Sequence, residues 1–378
     1  MKVEFYKHAL GKAEKDSVLE CLDGLFLTTG KYVDLFEELF ASYLGSKRCI
    51  GLNSCTAALH LSLLALGVKP GDEVITTPMT FIASATSIIH TGAKPVFVDV
   101  DPDTGLMDST KIVAAITPRT KAILPVHLYG VMCDMRTISA IAHERRLAVV
   151  EDCAHCIEGE RDGVRPGELS DSGCFSFYAT KNLTSGEGGA VVCNNPELAK
   201  KLRLLRQHGL NREAGDRYNE KYQHWDMELC GWKYNMDNIH ASLLLPQLDR
   251  IDSLHRSRRI IYEIYLEALS QIQSVKIPAI PNNSKSAHHL FTIQTVGADR
   301  DEVLASLQEQ GVGVAVNYRA IHLLKYFRET FGYSYGDYPN AELFGERTIS
   351  LPFWVGMTEK EILYVAKALE KACTKAMR

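Results

Sequence analysis

From about residue 45 the chain repeats one pattern: a short, continuously apolar run, then a helical stretch, then another apolar run. The runs are KRCIGLN (47–53), DEVITT (72–77), KPVFVDV (94–100), KAILPVHLY (121–129), RLAVVED (146–152), GCFSFYA (173–179) and GGAVVCN (188–194). A strand with one wet face alternates apolar and polar residues. A run such as AVVED does not, which fits burial on both faces. Helices packed on both sides of a parallel sheet bury it in that way. TAALHLSLLALG, FIASATSIIHTG and MRTISAIAHERR lie between the runs and read as such helices. The pattern predicts an α/β fold with a mostly parallel seven-stranded sheet.

After Asn235 the texture changes. MDNIHASLLLPQLDRIDSLHRSRRIIYEIYLEALSQ reads as one long helical stretch, with Pro246 placed to kink or break it. HHLFTIQTV, DRDEVLASLQEQG and VGVAVNYRAIH then read as a small α+β unit, and TEKEILYVAKALEKACTKAM as an amphipathic packing helix. This predicts a large domain over 1–245 and a small C-terminal domain over 246–378. A chain of 378 residues is long enough for two such cores.

Several function classes fit poorly. The formal net charge is −4, which gives no broad attraction for nucleic acid or acidic membranes. No stretch approaches the roughly 18 apolar residues of a membrane span. The opening MKVEFYKHALGKAEKD lacks the apolar centre of a secretory signal, so a cytoplasmic enzyme is expected. Of ten cysteines only Cys153 and Cys156 form a C-x-x-C, and no second pair follows at zinc spacing. Buried thiols, with no metal, are the expectation.

Four elements, with Ser176 as a fifth, point to one chemistry. Lys181 follows an aromatic strand and precedes Gly186, Gly188 and Gly189. A desolvated lysine there can bond covalently to the aldehyde of pyridoxal phosphate. Asp152 ends an apolar strand, where α/β ligands bind, and an anion is needed to keep the pyridine nitrogen protonated. Strand alternation turns Glu151 the other way. NSCTAALH (53–60) opens a helix with small polar residues, which makes a phosphate site from backbone N–H groups and Ser54 or Thr56. Phe81 follows the second large strand and can stack on a ring. Ser176, five residues before Lys181, can hold the phosphate from the opposite side. Each has a plain structural reading too: a loop lysine, an N-cap aspartate, an ordinary helix cap, a core phenylalanine, a strand serine. Their order, each at a strand end, is what favours the cofactor.

The chain resembles the DegT/DnrJ/EryC1/StrS family of sugar aminotransferases, which have the aspartate-aminotransferase-like fold (PLP fold type I). The resemblance runs from LTTGKYVDLFEELFASYLG through NSCTAALH, GDEVITTPMTFIASA, GAKPVFVDVDPDT, ITPRTKAILPVHLYG, VVEDCAHCIEG, FSFYATKN, GEGG, RQHGLNR and GWKYNMDNIHA to VNYRAIH. EDCAHC, FYATKNLTSGEGG and GWKYNM look most like the branch that makes UDP-4-amino-4-deoxy-L-arabinose and related 4-amino sugars.

The resemblance implies roles. Lys181 is the Schiff-base lysine and proton shuttle. Asp152 pairs with the ring nitrogen, and His155, glutamine in many relatives, sits near the ring hydroxyl. Thr56, Ala57 and Ser176 hold the phosphate, and Asn235 of the partner subunit completes that site, which implies a homodimer with shared active sites. Phe81 takes the place of the stacking aromatic. Thr29, Tyr318 and His322 fall in segments lining the sugar-nucleotide cleft, while Asn317 departs from the histidine usual there. The implied reaction moves an amino group from L-glutamate, released as 2-oxoglutarate, to a keto-sugar carried by a nucleotide, at C4 of a UDP sugar by resemblance. Related sugar dehydratases have histidine in place of Lys181, which argues against that reading. A silent PLP-binding regulator fits poorly with an intact lysine and aspartate. A nicotinamide-dependent dehydrogenase would need G-x-G-x-x-G after the first strand.

Overall fold

The computed structural model of the chain describes residues 1–212 and 224–377. Helices α1 (Lys12–Leu22) and α2 (Lys31–Leu44) come first. The alternating region runs β1 (Arg48–Leu52), α3 (Cys55–Ala65), β2 (Glu73–Thr76), α4 (Ala83–His90), β3 (Lys94–Phe97), α5 (Ile112–Ala115), β4 (Thr120–Ile123), α6 (Met135–Arg145), β5 (Ala148–Asp152), the short β6 (Glu160–Arg161), β7 (Ser172–Ser176), β8 (Gly189–Cys193) and α7 (Pro196–Arg206). Then follow α8 (Asn238–Asp249), α9 (Ile251–Leu269), β9 (Val275–Lys276), β10 (Ser284–Lys285), β11 (Phe291–Thr295), α10 (Arg300–Glu309), α11 (Lys325–Phe331), α12 (Pro339–Arg347), β12 (Thr348–Leu351) and α13 (Glu359–Ala376).

Each of the seven apolar runs supplies one strand of a seven-stranded sheet, in the order β1-β8-β7-β5-β4-β2-β3. β8 pairs antiparallel with both β1 and β7, and every other pairing is parallel. β5, β7 and β8 are buried along almost their whole length, as continuous apolar strands require. The run 121–129 supplies only the last three residues of β4. The chain turns away soon after Pro125, with Tyr129 in the left-handed region at φ 58°.

Pro246 lies inside α8 rather than ending it, and the break falls at Arg250 (φ −112°, ψ 17°). A proline has no N–H for the carbonyl four residues back, here Ser242. Ser17 Oγ of α1 donates to that carbonyl at 2.8 Å, so it keeps a partner. The chain leaves the first sheet along α9 and reaches a second, antiparallel sheet in the order β12-β11-β9. A separate core around Tyr265, Phe291, Leu307 and Leu369 packs there, and it includes Val3 from the start of the chain. VGVAVNYRAIH forms no strand of its own; Val312 bridges to Val3 and Ala315 to Ser350.

Candidate active site

The carboxyl ends of β5 and β7 and the start of α3 open on a cavity of about 470 Å³. Thr56, Phe81, Asp152, His155, Ser176, Lys181 and Tyr318 all line it. These residues come from segments up to 262 positions apart, so the fold, not the local sequence, gathers them.

Asp152 is held from several sides. Its Oδ2 accepts from Ser84 Oγ at 2.7 Å and its Oδ1 from the Ala154 N–H at 3.0 Å. Because Ser84 spends its hydrogen on the carboxylate, Thr80 Oγ1, 2.8 Å from Ser84 Oγ, must donate to it. The backbone of Asp152 is bonded on both sides, to Pro125 O and from the His127 N–H. Glu151 points to the other face of the sheet. Its Oε2 lies 2.6 Å from His127 Nε2, and its Oε1 accepts from the Gly167 N–H. The Cys133 N–H donates to His127 Nδ1, so the ring's proton sits on Nε2 and is given to Glu151.

Lys181 sits in the turn between β7 and β8, where its N–H bonds to Tyr178 O. Burial pushes its amine down to about 8, against the opposing pull of Asp152 and Cys55. Part of it is therefore an unprotonated nucleophile near neutral pH. Among the three glycines after it, Gly186 takes the left-handed φ of +83°. Gly189 has a different task. A Cβ there would lie 2.3 Å from the Ser54 carbonyl carbon and 2.5 Å from Cys55 N, so only glycine lets β8 pass under the loop that opens α3. Ser54 caps α3 by accepting from the Ala57 N–H.

His155 is buried, and its Nδ1 accepts from the Tyr129 N–H at 3.2 Å. Burial, with the Lys181 charge, keeps its titration well below the ordinary range, so the ring is neutral. Its one proton is then on Nε2, 3.1 Å from the Tyr318 hydroxyl. Phe81 stands at the rim, 53% exposed, its ring 5.8 Å from that of Tyr318.

Four expected site residues do not line the cavity. Ala57 is buried, its N–H already given to Ser54. Thr29 is 2% exposed and donates to Met236 O. His322 is fully buried with Nε2 2.9 Å from Glu342 on α12. Asn235 donates to Thr29 Oγ1 and Met236 O, outside the cavity of its own chain. Cys153 and Cys156 are buried free thiols.

A model of the DegT/DnrJ/EryC1/StrS aminotransferase family matches residues 8–370. The chain belongs to that family. The aminotransferase is 43% identical over 372 residues to the uncharacterized protein MJ1066 of Methanocaldococcus jannaschii, covering 97% of this chain and 96% of that one. It is 40% identical over 366 residues to the spore coat polysaccharide biosynthesis protein SpsC of Bacillus subtilis, covering 95% and 94%. Among solved structures it superposes on the putative sugar aminotransferase Spr1654 of Streptococcus pneumoniae, PMP-form, with TM-score 0.94 and 31% identity, covering 99% and 100%. The PLP-form of that protein gives 0.93 at 30%, covering all of both chains.

The aminotransferase has a donor set that fits pyridoxal phosphate. A desolvated amine, a fixed carboxylate, a helix N-terminus lying close over Gly189 and an aromatic rim converge on one space. Sequence reasoning missed its supporting residues: Ser84 and Thr80 behind Asp152, Tyr129 behind His155, and His289, whose ring is 4.3 Å from that of His155. The adjacent pair HH in SAHHLF was the one visible sign of the last.

Proposed function

We propose that this aminotransferase uses pyridoxal phosphate to move an amino group from L-glutamate to a nucleotide-linked keto-sugar, with C4 of a UDP-linked 4-keto sugar as first candidate. The observation that carries the reading is the convergence of the Lys181 amine and the Asp152 carboxylate on one cavity. When bound, the cofactor supplies an aldehyde that joins amines and a ring that draws electrons from the bonded carbon. Lys181 would hold it and, once released, would take a proton from the amino donor and return one to the sugar carbon. One amine acting on one face fixes the configuration of the new amine. Asp152 would keep the ring nitrogen protonated; its bonds from Ser84 and Ala154 hold the carboxylate in place. Thr56, Ser176 and the start of α3 would hold the phosphate. Phe81 would cover the ring, and Tyr318 would meet the sugar.

The reading includes a homodimer. Leu19, Leu22, Leu25, Leu27, Leu35 and Leu39 are exposed on α1, α2 and the segment between them, an apolar surface of the kind partners cover. Asn235 reaches Thr29 near that surface rather than its own cavity, which supports service to the partner's site. No described helix is long and apolar enough to cross a membrane. A cytoplasmic enzyme supplying an amino sugar for a surface polysaccharide is the role we favour, and the name of the Bacillus relative supports the polysaccharide. A sugar dehydratase is the second reading, disfavoured by Lys181.

Borohydride reduction of the native holoenzyme followed by peptide mapping should tag Lys181. Incubation with glutamate and a panel of 4-keto sugar nucleotides, read by mass spectrometry, should give an amino sugar and 2-oxoglutarate. A tag elsewhere, or a deoxygenated product without nitrogen, would overturn the proposal.

A further inference from the structure

Next to the main cavity, and sharing Thr180, Lys181, Asn317 and Tyr318 with it, lies a second chamber of about 50 Å³. Tyr6, Thr180, Lys181, His289, Asn317 and Tyr318 are among its walls. It is far too small for a sugar or an amino acid, and has room for one or two waters. His289 is 6% exposed and faces this chamber.

A chain of hydrogen bonds settles which nitrogen of His289 carries the proton. The Arg258 guanidinium pairs with Glu158 Oε1. Asn182 Nδ2 donates to Glu158 Oε2 and to Ala287 O, both at 2.9 Å. Those two acceptors fix the amide's orientation, so the atom 3.1 Å from His289 Nδ1 is the amide oxygen. An amide oxygen only accepts, so Nδ1 carries the proton. Burial, with the nearby Lys181 and Arg258 charges, keeps the ring neutral. Nε2 is left with a lone pair, and no hydrogen bond to it is seen among the described residues.

We propose that His289 is a positioning residue: its Nε2 lone pair, set by the Arg258–Glu158–Asn182 chain, accepts a hydrogen bond from the Lys181 amine whenever that lysine is not bonded to the cofactor. Nε2 and the amine are not directly bonded in the structure, so the link passes through one water of the chamber. Asn182 follows Lys181 directly in the chain, so the same anchor also holds the stem of the lysine. The inference rests on Lys181 being the cofactor lysine.

The test reads the titration of Lys181 itself in the full chain freed of cofactor, by competitive acetylation across pH and mass spectrometry of its peptide. Asp152, Cys55, His155, Tyr318 and Tyr6 also surround this amine and stay unchanged. An acceptor on the ammonium stabilises its charged form, so His289→Leu should lower the Lys181 pKa by about one unit. His289→Gln, with an amide oxygen to accept, should recover at least half of that shift. Equal titration in wild type and His289→Leu overturns the inference. Should His289→Leu fail to fold, Asn182→Ala releases the ring from its set tautomer and should shift the titration in the same direction; no shift overturns it. Borohydride labelling of the reconstituted wild type separates the two claims. A tag at Lys181 with unchanged titrations sinks the inference alone, and no tag there sinks the reading of the site with it.

Discussion

The imidazole rings of His155 and His289 lie 4.3 Å apart and carry opposite polarity. His155 accepts at Nδ1 from the Tyr129 N–H and presents its proton at Nε2 to Tyr318. His289 gives its proton at Nδ1 to Asn182 and keeps a lone pair at Nε2. One ring therefore donates toward the mouth of the cavity, and the other offers an acceptor beside Lys181. Neither polarity follows from the ring alone; a backbone N–H sets one and a side-chain amide the other.

The Tyr318 hydroxyl accepts from His155, so its own hydrogen is free for a substrate oxygen. Tyr318→Phe should raise the KM for the keto-sugar about tenfold, the size of one ordinary hydrogen bond. The half-reaction with the amino donor, followed by the cofactor's visible absorbance, should stay within about twofold. A matching loss in both half-reactions would place Tyr318 in the shared machinery instead.

Asp152 takes hydrogen bonds from a hydroxyl and a backbone N–H, so an amide fits its shape but not its charge. Asp152→Asn should slow deprotonation of the donor on the order of 10²-fold, with little change in thermal stability. Ser84→Ala, which removes one of the two donors, should cost about tenfold. Wild-type rates in Asp152→Asn would show that this carboxylate does not tune the ring.

Gly189→Ala places a methyl against the backbone of Ser54 and Cys55. The loop opening α3 must move, and with it the phosphate-facing N–H groups. The Kd for pyridoxal phosphate, titrated by absorbance, should rise at least about tenfold if a helix N-terminus holds the phosphate. An unchanged Kd would remove α3 from the cofactor site.

His60 on α3 packs near His90 and Trp232, with both ring nitrogens buried and without a hydrogen-bond partner. Burial first, and the charge of His90 second, hold it down to about 4. In the unfolded chain it titrates near 6.5, so between those values the unfolded state binds more protons. Stability should therefore fall as pH drops from about 6.5 toward 4, by on the order of 2 kcal/mol from this group. His60→Leu should flatten that slope in urea unfolding measured at pH 7 and 4.5, and an unchanged slope would assign it elsewhere.

Much of this molecule is legible along the chain because its physics is local. Continuous apolar runs mark strands buried on both faces, and all seven found their place in one sheet. Lys181 and Asp152 stand at strand ends, where a crevice forms whatever the details. Thr29 and His322 show the limit: their segments read as cleft, but their side chains turn inward to Met236 O and Glu342. No pattern in sequence states which way a loop side chain faces.

What the chain by itself determined is the periodicity, hence the strands, the helices and the chemistry at their ends. Tertiary structure alone decided the reversal of β8, the closeness of Gly189 to Ser54 and the proton positions on His155 and His289. The position on His155 depends on the Tyr129 N–H 26 residues away, and that on His289 on Asn182 meeting it across 107 residues and Glu158 meeting Arg258 across 100. Contacts at that separation have no repeat to read, because they arise only once distant segments are packed together.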